Sequence, residues 1–199
     1  MPDAGRVIAG TARATRLEAP GPATRPLADR VKQTLFAILE PDLPGAHILD
    51  LFAGSGAAGI EALSRGAAHA TFVERDPGAI AVIKANLART HLSARATVIK
   101  AAVLTWLRDP ARTRELPVTI ALIDPPYEDK PALADALAAL APLLAPGARV
   151  VAKHFWRDVP PERIGLLASE RERRFGETAL TFYRHAGQRT GTEHITEDA

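Results

Sequence analysis

The chain has 199 residues, 47% of them apolar, with 25 Lys and Arg against 23 Asp and Glu and no cysteine. That length suits one well-cored domain with a small appendage, and the missing cysteine excludes a disulfide framework, a thiolate zinc site and a cysteine nucleophile. A formal net charge of +2 means that any nucleic-acid partner must be argued from where the charge sits.

At the start, "RVIAG" and "TRLEAP" are β-prone stretches around a small-residue turn, and "GPATRP" then leads into the amphipathic "LADRVKQTLFAILE". This pattern predicts a hairpin extension over 1–24 and a first helix after it. Over 25–186, β-rich runs alternate with helical patterns: "HILDLF", "AAGIEALSR", "ATFVER", "PGAIAVIKANLART", "ATVIKA", "VLTWLRD", "VTIALID", "PALADALAALAPLL" and "ARVVAKHF". Such alternation predicts a mostly parallel sheet with helices on both faces. The near-continuous apolar runs fit strands buried on both sides. "ERERRFG" and "TALTFYRHA", joined around Gly176 without a helix between them, predict an antiparallel hairpin at the sheet edge. Residues 187–199, polar and without periodicity, are expected to form a disordered tail. No run of about 18 apolar residues and no charged-then-apolar start is present, so a cytoplasmic protein with no membrane contact is expected. No histidine–carboxylate spacing suggests a metal.

Ligands of open α/β sheets bind beyond the carboxyl ends of the strands, and three such ends carry chemistry. The first is "DLFAGSGAAG", where Gly54, Gly56 and Gly59 have the spacing of a dinucleotide loop and Glu74 follows 20 positions after Gly54. Asp50 argues against a phosphate there. An ionised carboxylate repels a pyrophosphate by roughly 1 to 4 kcal/mol and attracts a cationic sulfonium and α-amino group by as much, which points to S-adenosylmethionine. Asp50, Phe52, Ala53, Gly54, Ser55 and Gly56 are expected to line its methionine side. Glu74, with Arg75 beside it, is expected to take both ribose hydroxyl protons, a role that would equally serve NAD.

The third strand end is "DPPY", Asp124 to Tyr127. Two prolines remove two backbone donors, so the Asp124 carboxylate and nearby carbonyls form a cluster of acceptors suited to an NH2 group. Tyr127 adds a face on which an extruded base can stack. Asp124, Pro125, Pro126 and Tyr127 are therefore the expected catalytic group.

"DPPY" resembles the [DNS]-PP-[YFW] motif of methyltransferases that alkylate exocyclic or amide nitrogens. Together with "RVIAG", "RPLADRVKQTLFAIL", "DLFAGSGAAGIEALSRGA" and "FGETALTFY", the ordered set over about residues 6–185 is similar to the RsmD family of bacterial 16S rRNA guanine-N2 methyltransferases. The resemblance implies a Rossmann-like class I methyltransferase sheet, S-adenosylmethionine as cofactor, and 16S rRNA as substrate, within a 30S subunit or an assembly intermediate. It also implies that the basic extension, with Arg6, Arg13, Arg16, Arg25, Arg30 and Lys32, projects toward the RNA, and it aligns Ala102 where many members carry Asp or Asn near the adenine. The chain departs from the family pattern at Ala9, Ala14 and Leu27, where Gly, Gly and Thr are usual.

Other readings stay open at this point: methylation of adenine N6 in DNA or of a protein glutamine, an NAD-dependent oxidoreductase, and a non-catalytic RNA-binding protein. Trp106 reads as core, Arg171 to Arg174 as an exposed strand face, and His154 as a satisfied structural histidine.

Overall fold

The computed structural model describes residues 3–21, 28–113, 118–126 and 129–187. A two-stranded antiparallel hairpin, β1 (Asp3–Arg6) and β2 (Arg16–Glu18), precedes α1 (Asp29–Leu39). The alternating segment then gives β3 (His47–Leu51), α2 (Ala57–Ser64), β4 (His69–Glu74), α3 (Pro77–Arg89), β5 (Ala96–Lys100), α4 (Val103–Leu107), α5 (Pro110–Thr113), β6 (Ile120–Ile123), α6 (Lys130–Leu140) and β7 (Arg149–Phe155). Three more strands, β8 (Arg163–Ile164), β9 (Leu167–Phe175) and β10 (Thr178–His185), complete the sheet.

The eight strands lie in the order β5-β4-β3-β6-β7-β10-β9-β8. β3 to β7 are mutually parallel, whereas β10 pairs antiparallel with both β7 and β9. The strand order reverses between β3 and β6, which is where an open α/β sheet forms its ligand crevice.

Period-two alternation distributes each strand over two cores. Ile48, Phe72, Ile120, Leu122 and Val151 face one cluster with α1, α2 and the hairpin. Leu49, Leu51, Ala121, Ile123, Val150 and Ala152 face the other, under α4 and α6. Trp106 lies in this second cluster, as its apolar neighbours predict. Residues 169–174 of β9 are exposed along their length, as the alternating charges of that strand require.

The extension is plated onto the domain rather than projecting from it. Ala4, Val7, Ala12, Leu17 and Ala19 belong to the first core cluster, and three buried polar side chains fasten the backbone of the extension. Glu61 of α2 accepts from the Ile8 and Ala9 N–H groups at 2.7 and 3.0 Å. The Ser64 hydroxyl donates to the Ala9 carbonyl and accepts from the Ala12 N–H. Asn86 of α3 exchanges two hydrogen bonds of 2.9 Å with the Glu18 backbone. The turn passes so close to α2 that a Cβ on Gly10 would stand 1.8 Å from the Ser64 carbonyl oxygen, an approach only glycine allows.

Candidate active site

The register places the expected site on one face and at one edge. Phe72, Asp50, Leu122 and Val151 are direct neighbours across β4, β3, β6 and β7. Two residues further along, alternation puts Glu74, Asp124 and Lys153 in the next row on the same face. Asp50, Glu74 and Lys153 of β3, β4 and β7, with Asp124 one residue beyond β6, thus surround the switch point.

The glycine loop is shaped by unusual backbone. Phe52, Gly54 and Gly56 all have positive φ, at 59°, 55° and 73°. A left-handed conformation costs a non-glycine residue about 1–2 kcal/mol, so Phe52 is held there by its surroundings. Gly56 turns the chain into α2, and the Gly56 N–H closes the turn on the Ala53 carbonyl at 2.7 Å. Gly59 answers a packing need: a Cβ there would lie 2.4 Å from the Phe72 ring and 3.0 Å from Asp50 Oδ2. Ser55 is buried, and its carbonyl accepts from Asn86 Nδ2 at 3.0 Å. The same amide therefore ties the hairpin to the loop.

Amides that would cradle a phosphate are already engaged by carboxylates. Asp50 Oδ2 accepts from the Gly59 N–H at 2.9 Å, inside the first turn of α2. Glu74 Oε2 accepts from the Gly54 N–H at 2.9 Å. In a dinucleotide loop these donors face the pyrophosphate; here a phosphate would meet two carboxylates instead. This arrangement disfavours NAD.

Glu74 carries more of the fold than the sequence suggests. Oε1 also accepts from the Arg75 and Asp76 N–H groups, at 2.7 and 2.9 Å. A carboxylate offers about four lone-pair sites, so with three in use it has room for one ribose hydroxyl rather than two. Asp76 in turn caps α3 by accepting from the Ala79 N–H at 2.7 Å, with Pro77 at the first helical position. Arg75 is exposed just beyond the strand, and Ala102 is exposed at the start of α4.

Asp50 is only 3% exposed. Burial pushes its carboxyl up to about 8; the Gly59 N–H opposes this shift, while the Asp124 and Glu74 carboxylates add to it. A buried carboxyl facing two others is an electrostatic deficit that a bound cation relieves. The donor set therefore fits a sulfonium with an α-ammonium group and does not fit a polyanion.

Across the crevice, both oxygens of Asp124 accept from the Lys153 ammonium, at 2.8 and 2.9 Å. Burial raises the Asp124 carboxyl from its usual range, and Lys153 works against that shift. The Asp124 N–H reaches the Leu51 carbonyl at 3.4 Å, which registers this segment against β3. Pro125 is buried and Pro126 exposed, and the Pro126 carbonyl closes a turn by accepting from the Asp129 N–H. Tyr127 lies outside the described residues.

Lys153 is the site residue that sequence reasoning missed. The available signal was its place in the apolar run "RVVAKHF", two positions from the buried Val151, where alternation aims a lysine along the core face. Its neighbour His154 points the other way. It is buried, and its ring nitrogens lie 2.9 Å from Thr181 Oγ1 and from the Phe155 carbonyl, the structural arrangement expected for it.

One basic residue must be reassigned. Lys32, expected to face RNA, is fully buried. Its ammonium donates to the Arg6 carbonyl at 2.6 Å and lies 3.7 Å from Asp29, so it fastens α1 to the hairpin. Burial lowers its pKa, with Glu61 and Asp29 opposing. Arg6, Arg13, Arg16 and Arg30 are exposed; Arg6 pairs with Asp29 and Arg16 with Asp3. Arg25 lies outside the described residues. Among those residues, no helix is long and apolar enough to cross a membrane, and no group of three or more potential ligands is placed to hold a metal.

Strand order, the antiparallel β10 and the acidic strand ends around a glycine loop define a class I methyltransferase fold. The solved structure of an Escherichia coli protein, "Putative methyltransferase yhhF", superposes with a TM-score of 0.81 at 32% identity, covering 92% of this chain and 98% of the other. A Salinibacter ruber RNA methyltransferase, solved in complex with S-adenosyl-L-homocysteine, shares the fold at a TM-score of 0.61 and 17% identity, over 87% of this chain and 98% of its own.

More specifically, residues 5–184 match the model of the family described as "Conserved hypothetical protein 95", and the chain belongs to that family. A Bacillus subtilis relative named "Putative rRNA methyltransferase YlbH" is 37% identical over 189 residues, which is 92% of this chain and all of the relative. The Escherichia coli protein "Ribosomal RNA small subunit methyltransferase D" is 41% identical over 123 residues, 61% of this chain and 60% of that protein.

Proposed function

We propose that this protein methylates the exocyclic N2 of a guanine in small-subunit rRNA, using S-adenosylmethionine. The observation that carries the reading is the pairing of two strand ends at one switch point: a cation-seeking carboxylate beneath a glycine loop, and an Asp-Pro-Pro acceptor cluster directly across from it. The names of the relatives support an rRNA substrate and a small-subunit context.

Bound S-adenosylmethionine supplies an electrophilic methyl on a cationic sulfur, with a neutral thioether as leaving group. Asp50 and the loop from Phe52 to Gly56 hold its methionine end, and Glu74 accepts one ribose hydroxyl. Ala102 and Arg75 border the adenine side. Asp124 and the Pro125 carbonyl accept the two N–H bonds of the guanine amine, which turns the nitrogen lone pair out of conjugation and toward the methyl. Tyr127 stacks on the base.

As the N–C bond forms and the S–C bond breaks, the nitrogen becomes cationic and then sheds a proton to water. The rate comes from positioning rather than from a strong base. Arg6, Arg13, Arg16, Arg25 and Arg30 contribute phosphate contacts, which should make RNA affinity fall with salt.

Incubating the purified protein with labelled cofactor and either 16S rRNA or 30S particles, then mapping the product by mass spectrometry, tests this. A label on guanine N2 is expected. A label on adenine N6, or on protein alone, would replace the substrate while keeping the chemistry.

A further inference from the structure

In the substrate-free protein the acceptor that should grip the amine is already occupied. Both Asp124 oxygens lie within hydrogen-bond distance of one ammonium, that of Lys153, two strand positions beyond Val151 in β7. The pair is part-buried, with 13% of the lysine side chain and 31% of the aspartate side chain accessible. At such a depth an ion pair is screened less than one at the surface. Removing one partner leaves the other uncompensated.

We propose that Lys153 is a positioning residue for methyl transfer: it aims the Asp124 carboxylate and keeps it ionised before substrate arrives, then yields one oxygen to the incoming amine while retaining the other. This rests on the N-methyltransferase reading given above. The chemical need is specific. A protonated Asp124 would offer a hydroxyl where an acceptor is required, and burial of the carboxyl favours that protonated form. Lys153 is the opposing charge, delivered from the strand on the other side of β6. With the ammonium still on one oxygen, Asp124 remains an ionised acceptor, which suits a reaction whose proton leaves only after the nitrogen has been alkylated.

Two substitutions separate positioning from bulk structure. Lys153→Met keeps the length of the side chain and removes the charge, whereas Lys153→Arg keeps the charge. In single-turnover assays at saturating cofactor, Lys153→Met should lose about 10- to 100-fold in rate near neutral pH and shift the acid limb of the pH–rate profile upward by about one unit or more. Lys153→Arg should recover most of the rate and the original limb, and cofactor affinity should stay within about twofold in both.

Carbon-13 carboxyl NMR on the full chain, without RNA, supplies a readout independent of turnover. The Asp124 titration should move upward in Lys153→Met and return in Lys153→Arg. Identical Asp124 titrations in wild type and Lys153→Met, or an unmoved acid limb, would overturn the proposal. A wild-type protein inactive on every RNA would instead strike the methyltransferase reading, and the carboxyl titration would still report on Lys153.

Discussion

The two halves of the crevice hold their carboxylates by different means. On the proposed cofactor side, Asp50 and Glu74 are fixed by backbone amides 9 and 20 residues away within the β3-α2-β4 unit. On the proposed substrate side, Asp124 is held by the side chain of a lysine 29 residues away, on β7. An acid held by backbone is set once the local chain folds, so it can be rigid and serve an invariant ligand. An acid held by a side-chain ammonium can exchange that partner, as a carboxylate must if an incoming amine is to take its place.

The comparison can be broken at several points. Asp124→Ala should abolish transfer, by about 100- to 1,000-fold or more, with cofactor affinity unchanged by calorimetry. Full turnover in that variant would remove the acceptor role and with it the functional reading.

On the cofactor side, Gly59→Ala forces a methyl to within 2.4 Å of the buried Phe72 ring. Overpacking of that kind costs about 1–3 kcal/mol or more, so chemical denaturation should show a lower midpoint together with weakened cofactor binding. A variant as stable as wild type would mean that α2 slides freely on β4.

Asp50 supplies a pH test. With its carboxyl up at about 8, cation binding below that pH must release a proton. Cofactor affinity should therefore rise with pH by up to about tenfold per unit, level off above 8, and lose this dependence in Asp50→Asn. Because the folded value lies above the ordinary value of 3.8, the stability contribution is complete below about pH 4 and is lost as pH rises toward 8. The cofactor-free protein should therefore melt lower at pH 8 than at pH 6, and Asp50→Asn should reduce that difference. A pH-independent affinity without proton release would mean that Asp50 does not meet the cation.

The smallest effect belongs to the hairpin. Ala14 sits at φ 69°, a left-handed position that glycine adopts without steric cost. Relief of that strain, about 1–2 kcal/mol, against the greater unfolded-state freedom of glycine, about 0.4–1 kcal/mol, predicts that Ala14→Gly stabilises by up to about 1.6 kcal/mol, readable as a raised Tm.

The alternation of strands and helices, the two-sided burial of β3, β4 and β6, and the C-terminal hairpin were legible because each follows from local periodicity. So was the placing of Asp50, Gly54 and Gly56 at the β3-to-α2 turn, of Glu74 at the end of β4 and of "DPPY" just after β6, since each follows directly from a local strand pattern. Lys32 was misread because basic composition does not say which face of a helix carries the charge; the α1 stripe that contains Val31, Leu35 and Phe36 also contains Lys32. Glu61, Ser64 and Asn86, the three fasteners of the extension, looked like ordinary helix residues, since their partners are backbone groups 52 to 68 positions away.

What the sequence determined by itself is the class of fold and both strand-end motifs, because hydrophobic period and short-range turn chemistry act over a few residues. What only the tertiary structure decided is which charges meet: Gly59 N–H on Asp50, Lys32 turned inward, and Lys153 across from Asp124. Those partnerships depend on strand order and register, which bring distant residues into one row and which no local pattern encodes.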